Sequence, residues 1–286
     1  MSTLSARDYT RFIVLGGART GSTVLAFALG SHPAIVAMGE VFNAMRTDMI
    51  DWGIDAWGQD EAELRLRQED PVRFLRERVW RPQPPHVRAA GFKLMYVQTE
   101  WFPAVTEALA ADRELRILHA RRHNLLRLLV SSKIAEQTKL WMEPAERTPE
   151  PALVRRARRL ARRLQGKPPP VELPPPVVDQ SKRRVRLTPD ECFAYFREHE
   201  AQQERLARIF GRHPMFDVYY REQLWYRDAV FERAQRFLGV EPRRLKVPLK
   251  RQNPEPLSVL IENYDEVAAA LADSPYAPLL DEENYP

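Results

Sequence analysis

Apolar residues in this chain fall in short continuous runs, separated by stretches with helical spacing. Arg11 to Leu15 reads as a buried strand and Gly21 to Gly30 as the helix that follows it. Ile35 to Ala37 fits a short second strand, and 69–80 a helix charged along one side. The run 86–96 predicts a further strand, 100–111 a helix and 115–120 a fourth strand. Between 124 and 139, Leu125, Leu128, Leu129, Ser132 and Ala135 recur at helical spacing. Strands separated by helical patterns predict an α/β fold: a P-loop-like, mainly parallel sheet with helices on both faces.

The middle of the chain breaks this rhythm. Leu153, Val154, Ala157, Leu160, Ala161 and Leu164 share one helical face, and six arginines cover much of the rest. A proline-rich stretch follows that cannot be regular helix. Residues 150–186 therefore read as a basic, Pro-rich insertion within a single domain spanning 1–286. Regular structure resumes at Thr188, a helix cap, with Pro189 at the first helical position and Glu191 placed for a capping box. That helix should reach about Phe210, followed by a strand at 215–220, a helix at 227–238 ending at Gly239, and a helix near 264–272.

Charge follows the same division. Residues 151–186 hold eleven Lys or Arg against two acids, whereas the other positions carry 33 basic and 37 acidic groups. The basic balance belongs to one segment, so no nucleic-acid partner is expected. No apolar run reaches the ~18 residues of a membrane span, and the polar N-terminus predicts no signal peptide. Cytoplasmic localisation is the expectation. Cys192 is the single cysteine, and the six histidines lack ligand spacing, so no metal is expected.

Three stretches carry candidate chemistry. In "GGARTGST", Gly16 to Thr23, a strand, a glycine turn and a helix start gather backbone N–H groups around one point. Gly16 and Gly21 meet the glycine spacing of an ATP-binding loop, but Ser22 stands where its lysine should be. The cation sits earlier, at Arg19, whose guanidinium can fork two anionic oxygens. The second stretch places Arg121 and Arg122 at a strand end, with Ser131 and Ser132 on the next helix. That is where open α/β sheets bind ligands. In the third, Lys250, Arg251 and Gln252 offer donors from a loop. Taken singly, the last two also read as solvated basic turns.

Together with "SHPAIVAMGEVFN", "GFKLMY", "FLGV" and "PLSVLIENYDEV", these stretches resemble the sulfotransferases that use 3′-phosphoadenosine 5′-phosphosulfate (PAPS). They look most like the bacterial carbohydrate branch, the nodulation-factor and trehalose type, over most of 11–272. The resemblance implies that Arg19 meets the transferring sulfuryl group and that Thr20, Gly21, Ser22 and Thr23 cradle the 5′-phosphate. It implies that Arg122 and Ser131 hold the 3′-phosphate. The family spaces that pair eight apart, which from Arg122 falls on Val130, so Arg121 and Ser132 are further candidates for the role. It implies a closing loop at Lys250, Arg251 and Gln252, and a general base at Glu40. Glu40 in a structural ion pair with Arg19 or Lys93 is the other reading, and His32 is the second candidate base. Lys93 either meets substrate or snorkels. The donor would be PAPS, with no metal, since fixed cations can neutralise the transferring group.

The acceptor implied is a small molecule or glycan. Alternatives are a lipid or natural-product hydroxyl, and more distantly a kinase-like or non-catalytic nucleotide-binding protein. The basic helix reads as a solvated face, a lid over the acceptor, or a membrane-surface contact through 150–164. Trp52, Trp57, Trp80, Trp101 and Trp141 read as packing residues, with sugar stacking as the alternative.

Overall fold

The computed structural model describes residues 9–44, 61–142, 183–247 and 249–281. Five parallel strands form one sheet in the order β2-β3-β1-β4-β5: β1 Thr10–Gly16, β2 Ile35–Met38, β3 Ala89–Met95, β4 Arg116–Arg121 and β5 Met215–Tyr219. Side chains alternate across a strand, so β1 feeds two cores. Phe12 and Val14 join Leu25, Ala28 and Leu29 of helix α1 (Ser22–Gly30), together with Val230 and Phe231. Ile13 and Leu15 join Phe74, Phe92, Leu109 and Phe210 on the opposite face. Burial on both faces is why the strand is a continuous apolar run rather than an alternating one.

After β1 the chain turns to the β2–β3 side of the sheet; after β3 it crosses to the β4–β5 side. The reversal lies between β1 and β4, and an open parallel sheet binds ligands beyond the carboxyl ends of the strands at such a point. The turn after β1 and Arg122, which follows β4, both open there.

Several boundaries differ from expectation. The helix expected at 69–80 is three pieces: a helix at Glu61–Glu69, a turn of helix at Pro71–Phe74, and a π-helical stretch at Leu75–Val79. The helix expected at 100–111 breaks at Phe102, because Pro103 forces the residue before it out of the helical region. Tyr220, expected at the end of a strand, opens a short helix, Tyr220–Trp225. The helix Pro189–Phe210 begins as expected: Thr188 accepts a hydrogen bond from the Glu191 N–H. The Glu191 carboxylate, expected to reach back to the cap, pairs with Lys133 instead.

Most of the predicted insertion, 150–182, lies outside the described residues, and with it the basic helix at 150–164. Its last four residues belong to the fold. Val185 is buried, bridges Ile261, and exchanges backbone hydrogen bonds with Leu260 and Glu262. None of the described helices is long and apolar enough to cross a membrane.

Candidate active site

The loop after β1 is built from two left-handed residues. Arg19 has φ 63° and Gly21 φ 86°. The conformation costs Arg19 free energy that glycine would not lose, and such strain concentrates at functional sites. Gly21 is the N-cap of α1 and makes no side-chain cap, so the first N–H groups of the helix face outward. A Cβ at Gly21 would come within 2.7 Å of Gln223 Nε2.

The three candidate stretches, separated by more than a hundred residues each, meet at the Arg19 side chain. Its Nε donates to Ser131 Oγ at 2.8 Å, one terminal nitrogen donates to the Trp141 carbonyl at 2.6 Å, and the other donates to Gln252 Oε1. Around them lies a cleft open to solvent. Arg19, Arg122, Arg227, Lys250 and Arg251 line it, together with Gly21, Ser22, Thr23, Ser131 and Gln252. No carboxylate stands among the described residues that line it.

Arg122 is the most deeply placed of these cations. Its guanidinium lies 4.2 Å from the centre of the Tyr220 ring, and Nε has no hydrogen-bond partner among the described residues. Burial pushes its pKa down to about 10, partly offset by Tyr220 and deepened by Arg127, Arg251 and Arg19. Burial likewise lowers that of Arg19. Like charges gathered out of water are costly unless an anion joins them.

The structure separates residues that the sequence left together. Ser131 lines the cavity, whereas Ser132 does not. Ser132 interacts instead with Tyr195, and Arg121 turns to Gln203 and Asp217. Thr20 departs from the expected cradle: its side chain is fully buried, and the hydroxyl donates back to the Gly17 carbonyl at 2.9 Å. It shapes the turn rather than facing the cavity.

Glu40 stands on the other side of the loop. Its Oε1 is 2.7 Å from Lys93 Nζ, and Oε2 accepts from Asn43 at 2.8 Å and Gln98 at 3.0 Å. Lys93 also donates to Thr23 Oγ1 at 2.9 Å, so a chain of hydrogen bonds ties Glu40 to a residue of the cavity wall. The ion pair with Lys93, one of two readings, is present. Asn43 and Gln98 were not anticipated; nothing in their local sequence marks them. His32 is a turn residue, accepting from the Ala34 N–H and bonding the Glu241 carbonyl. Trp80 is core, Trp101 is exposed, and Trp141 lines the cavity.

No family model matches the chain. A crystal structure of a sulfotransferase from Alicyclobacillus acidocaldarius is similar at a TM-score of 0.47 and 18% identity, covering 98% of this chain and 96% of that one. Nodulation protein H of Rhizobium meliloti is 27% identical over 284 residues, 96% of each chain. The chain is similar to nodulation protein H from end to end. Nodulation protein H of Rhizobium tropici is 25% identical over 273 residues, 93% of this chain and 91% of the other. The likeness to nodulation protein H bears out the resemblance to the nodulation-factor branch.

Beneath the loop lies a second polar cluster that carries none of the expected site residues. The Tyr96 hydroxyl meets His119 Nε2 at 2.6 Å, and His119 Nδ1 meets Asp217 at 3.0 Å, across a register pair of β4 and β5. His199 packs against Gly17, where an added Cβ would lie 2.9 Å from its ring, and accepts from Gln203 Nε2 at 3.0 Å. Burial pushes the His199 pKa down to about 4, and His119 and Arg121 add to the effect. The unfolded chain, with histidine near its ordinary ~6.5, takes up that proton first. The stability from keeping His199 neutral is therefore complete above pH ~6.5 and is lost as pH falls toward about 4. His199→Gln should flatten the melting temperature against pH across that window by a few degrees, read by circular dichroism.

Proposed function

We propose that this chain is a sulfotransferase moving a sulfuryl group from PAPS to a hydroxyl of a carbohydrate or glycoconjugate-like acceptor. The observation that carries the reading is the cavity at the sheet reversal, lined among the described residues by five cations and no carboxylate. Such a lining suits a nucleotide whose phosphates are balanced by the protein itself. It fits a 3′,5′-bisphosphonucleotide in particular. The loop Gly21 to Thr23 supports one phosphate, with Arg19 beside it. Arg122 and Ser131 support the other, under a loop formed by Lys250, Arg251 and Gln252. The likeness to nodulation protein H and the resemblance to its branch favour a sugar-bearing acceptor.

In this reading the acceptor oxygen attacks sulfur in line with the departing phosphate oxygen. One O–S bond forms as the bridging O–S bond breaks, and both electrons of the broken bond leave with the 5′-phosphate. Arg19 and the first N–H groups of α1 stabilise that charge. Glu40 accepts the acceptor's proton. An ionised carboxylate only accepts hydrogen bonds, and Lys93, Asn43 and Gln98 all donate to it. Lys93 links its position to Thr23 of the loop, which gives proton removal and sulfuryl transfer a common frame.

A melting experiment tests the donor. Adenosine 3′,5′-bisphosphate at a hundredfold excess over its Kd should stabilise the fold by about 2.7 kcal/mol, with or without Mg²⁺. Preference for ATP, requiring Mg²⁺, would overturn the reading.

A further inference from the structure

Gln223 belongs to the short helix Tyr220–Trp225, is 2% exposed, and lines the cavity. Neither Oε1 nor Nε2 has a hydrogen-bond partner among the described residues. An amide buried with both ends unsatisfied is costly, and native folds seldom keep one without a use. Val24, Leu224, Val247, Leu249 and Tyr220 line the same cavity as the cations. The amide is also held close to the loop, since a Cβ at Gly21 would lie 2.7 Å from Nε2.

A carboxamide presents one donor and one acceptor side by side. A ligand that satisfies both carries an acceptor beside a donor. Adenine does so, with its 6-amino group next to a ring nitrogen, and glutamine is a natural reader of that pair. We propose that Gln223 is the residue that selects adenine, accepting from the 6-amino group through Oε1 and donating to the adjacent ring nitrogen through Nε2. This rests on the bisphosphonucleotide reading above and adds to it which side chain recognises the base.

The test is calorimetric titration of the full chain with two ligands. One is adenosine 3′,5′-bisphosphate; the other is the purine riboside 3′,5′-bisphosphate, which lacks the 6-amino group and keeps every phosphate. Wild type should bind the adenine ligand roughly tenfold more tightly, because the other leaves Oε1 buried and unpaired. Gln223→Leu should abolish the difference, and Gln223→Met serves if the leucine variant does not fold. Equal, tight binding of both ligands by wild type would overturn the role of Gln223 and leave the nucleotide reading standing. A variant that keeps the tenfold preference would do the same. Failure of wild type to bind either ligand would overturn the nucleotide reading itself.

Discussion

Glu40→Gln should lower turnover by about 10²- to 10⁴-fold, the range a general base contributes. The same variant should bind adenosine 3′,5′-bisphosphate as wild type does, because Glu40 does not line the cationic cavity. The glutamine keeps the shape and an acceptor for Lys93, but its amide has no proton-accepting carboxylate. The experiment also separates the two readings of this residue. If Glu40 served only as the partner of Lys93, the variant would melt earlier by about 1–2 kcal/mol, discounted because Glu40 is partly exposed, and would keep its turnover. Turnover within about threefold of wild type, at saturating donor, would place the base elsewhere.

Arg19→Ala should be damaging for two reasons that differ in their readout. Loss of the charge beside the departing oxygen should cost about 10²- to 10³-fold in kcat. Loss of the side chain also unties Ser131, the Trp141 carbonyl and Gln252 from one another, so bisphosphate affinity should fall as well. Arg19→Lys keeps the charge but cannot reproduce a three-way fork, so it should recover part of the affinity and less of the rate. Both residues have a Cβ, so the left-handed backbone at position 19 costs wild type and variant alike. Single-turnover rates at saturating donor, set beside titration of the bisphosphate, divide the two effects. A kcat within threefold of wild type for Arg19→Ala would remove Arg19 from the chemistry.

The site was legible where its signals are local. A strand, a glycine turn and a helix start are contiguous in "GGARTGST", so the loop follows from spacing and backbone preference. The arginines after β4 are at a strand end, a position that a parallel sheet makes meaningful. What spacing left open was facing. Adjacent residues on a helix point about 100° apart, so of Ser131 and Ser132 one reaches the cavity and the other meets Tyr195. Thr20 lies within the motif, yet its hydroxyl serves the turn, because a rotamer and not a position decides where a side chain goes. Asn43, Gln98 and Gln223 carried no signal, since a polar residue without a pattern reads as surface until something packs over it.

By itself the sequence determined the α/β class, the order of most strands and helices, and the glycine turn between β1 and α1, because each rests on residues close together in the chain. Tertiary structure alone decided that Arg19, Ser131 and Gln252 share one hydrogen-bonded centre, that five cations meet with no carboxylate among the described lining residues, and that Glu40 reaches the loop through Lys93 and Thr23. Those facts depend on strand order and register. The sheet reverses between β1 and β4, and only that packing brings Arg19 and the buried Arg122, more than a hundred residues apart in the chain, to one cleft.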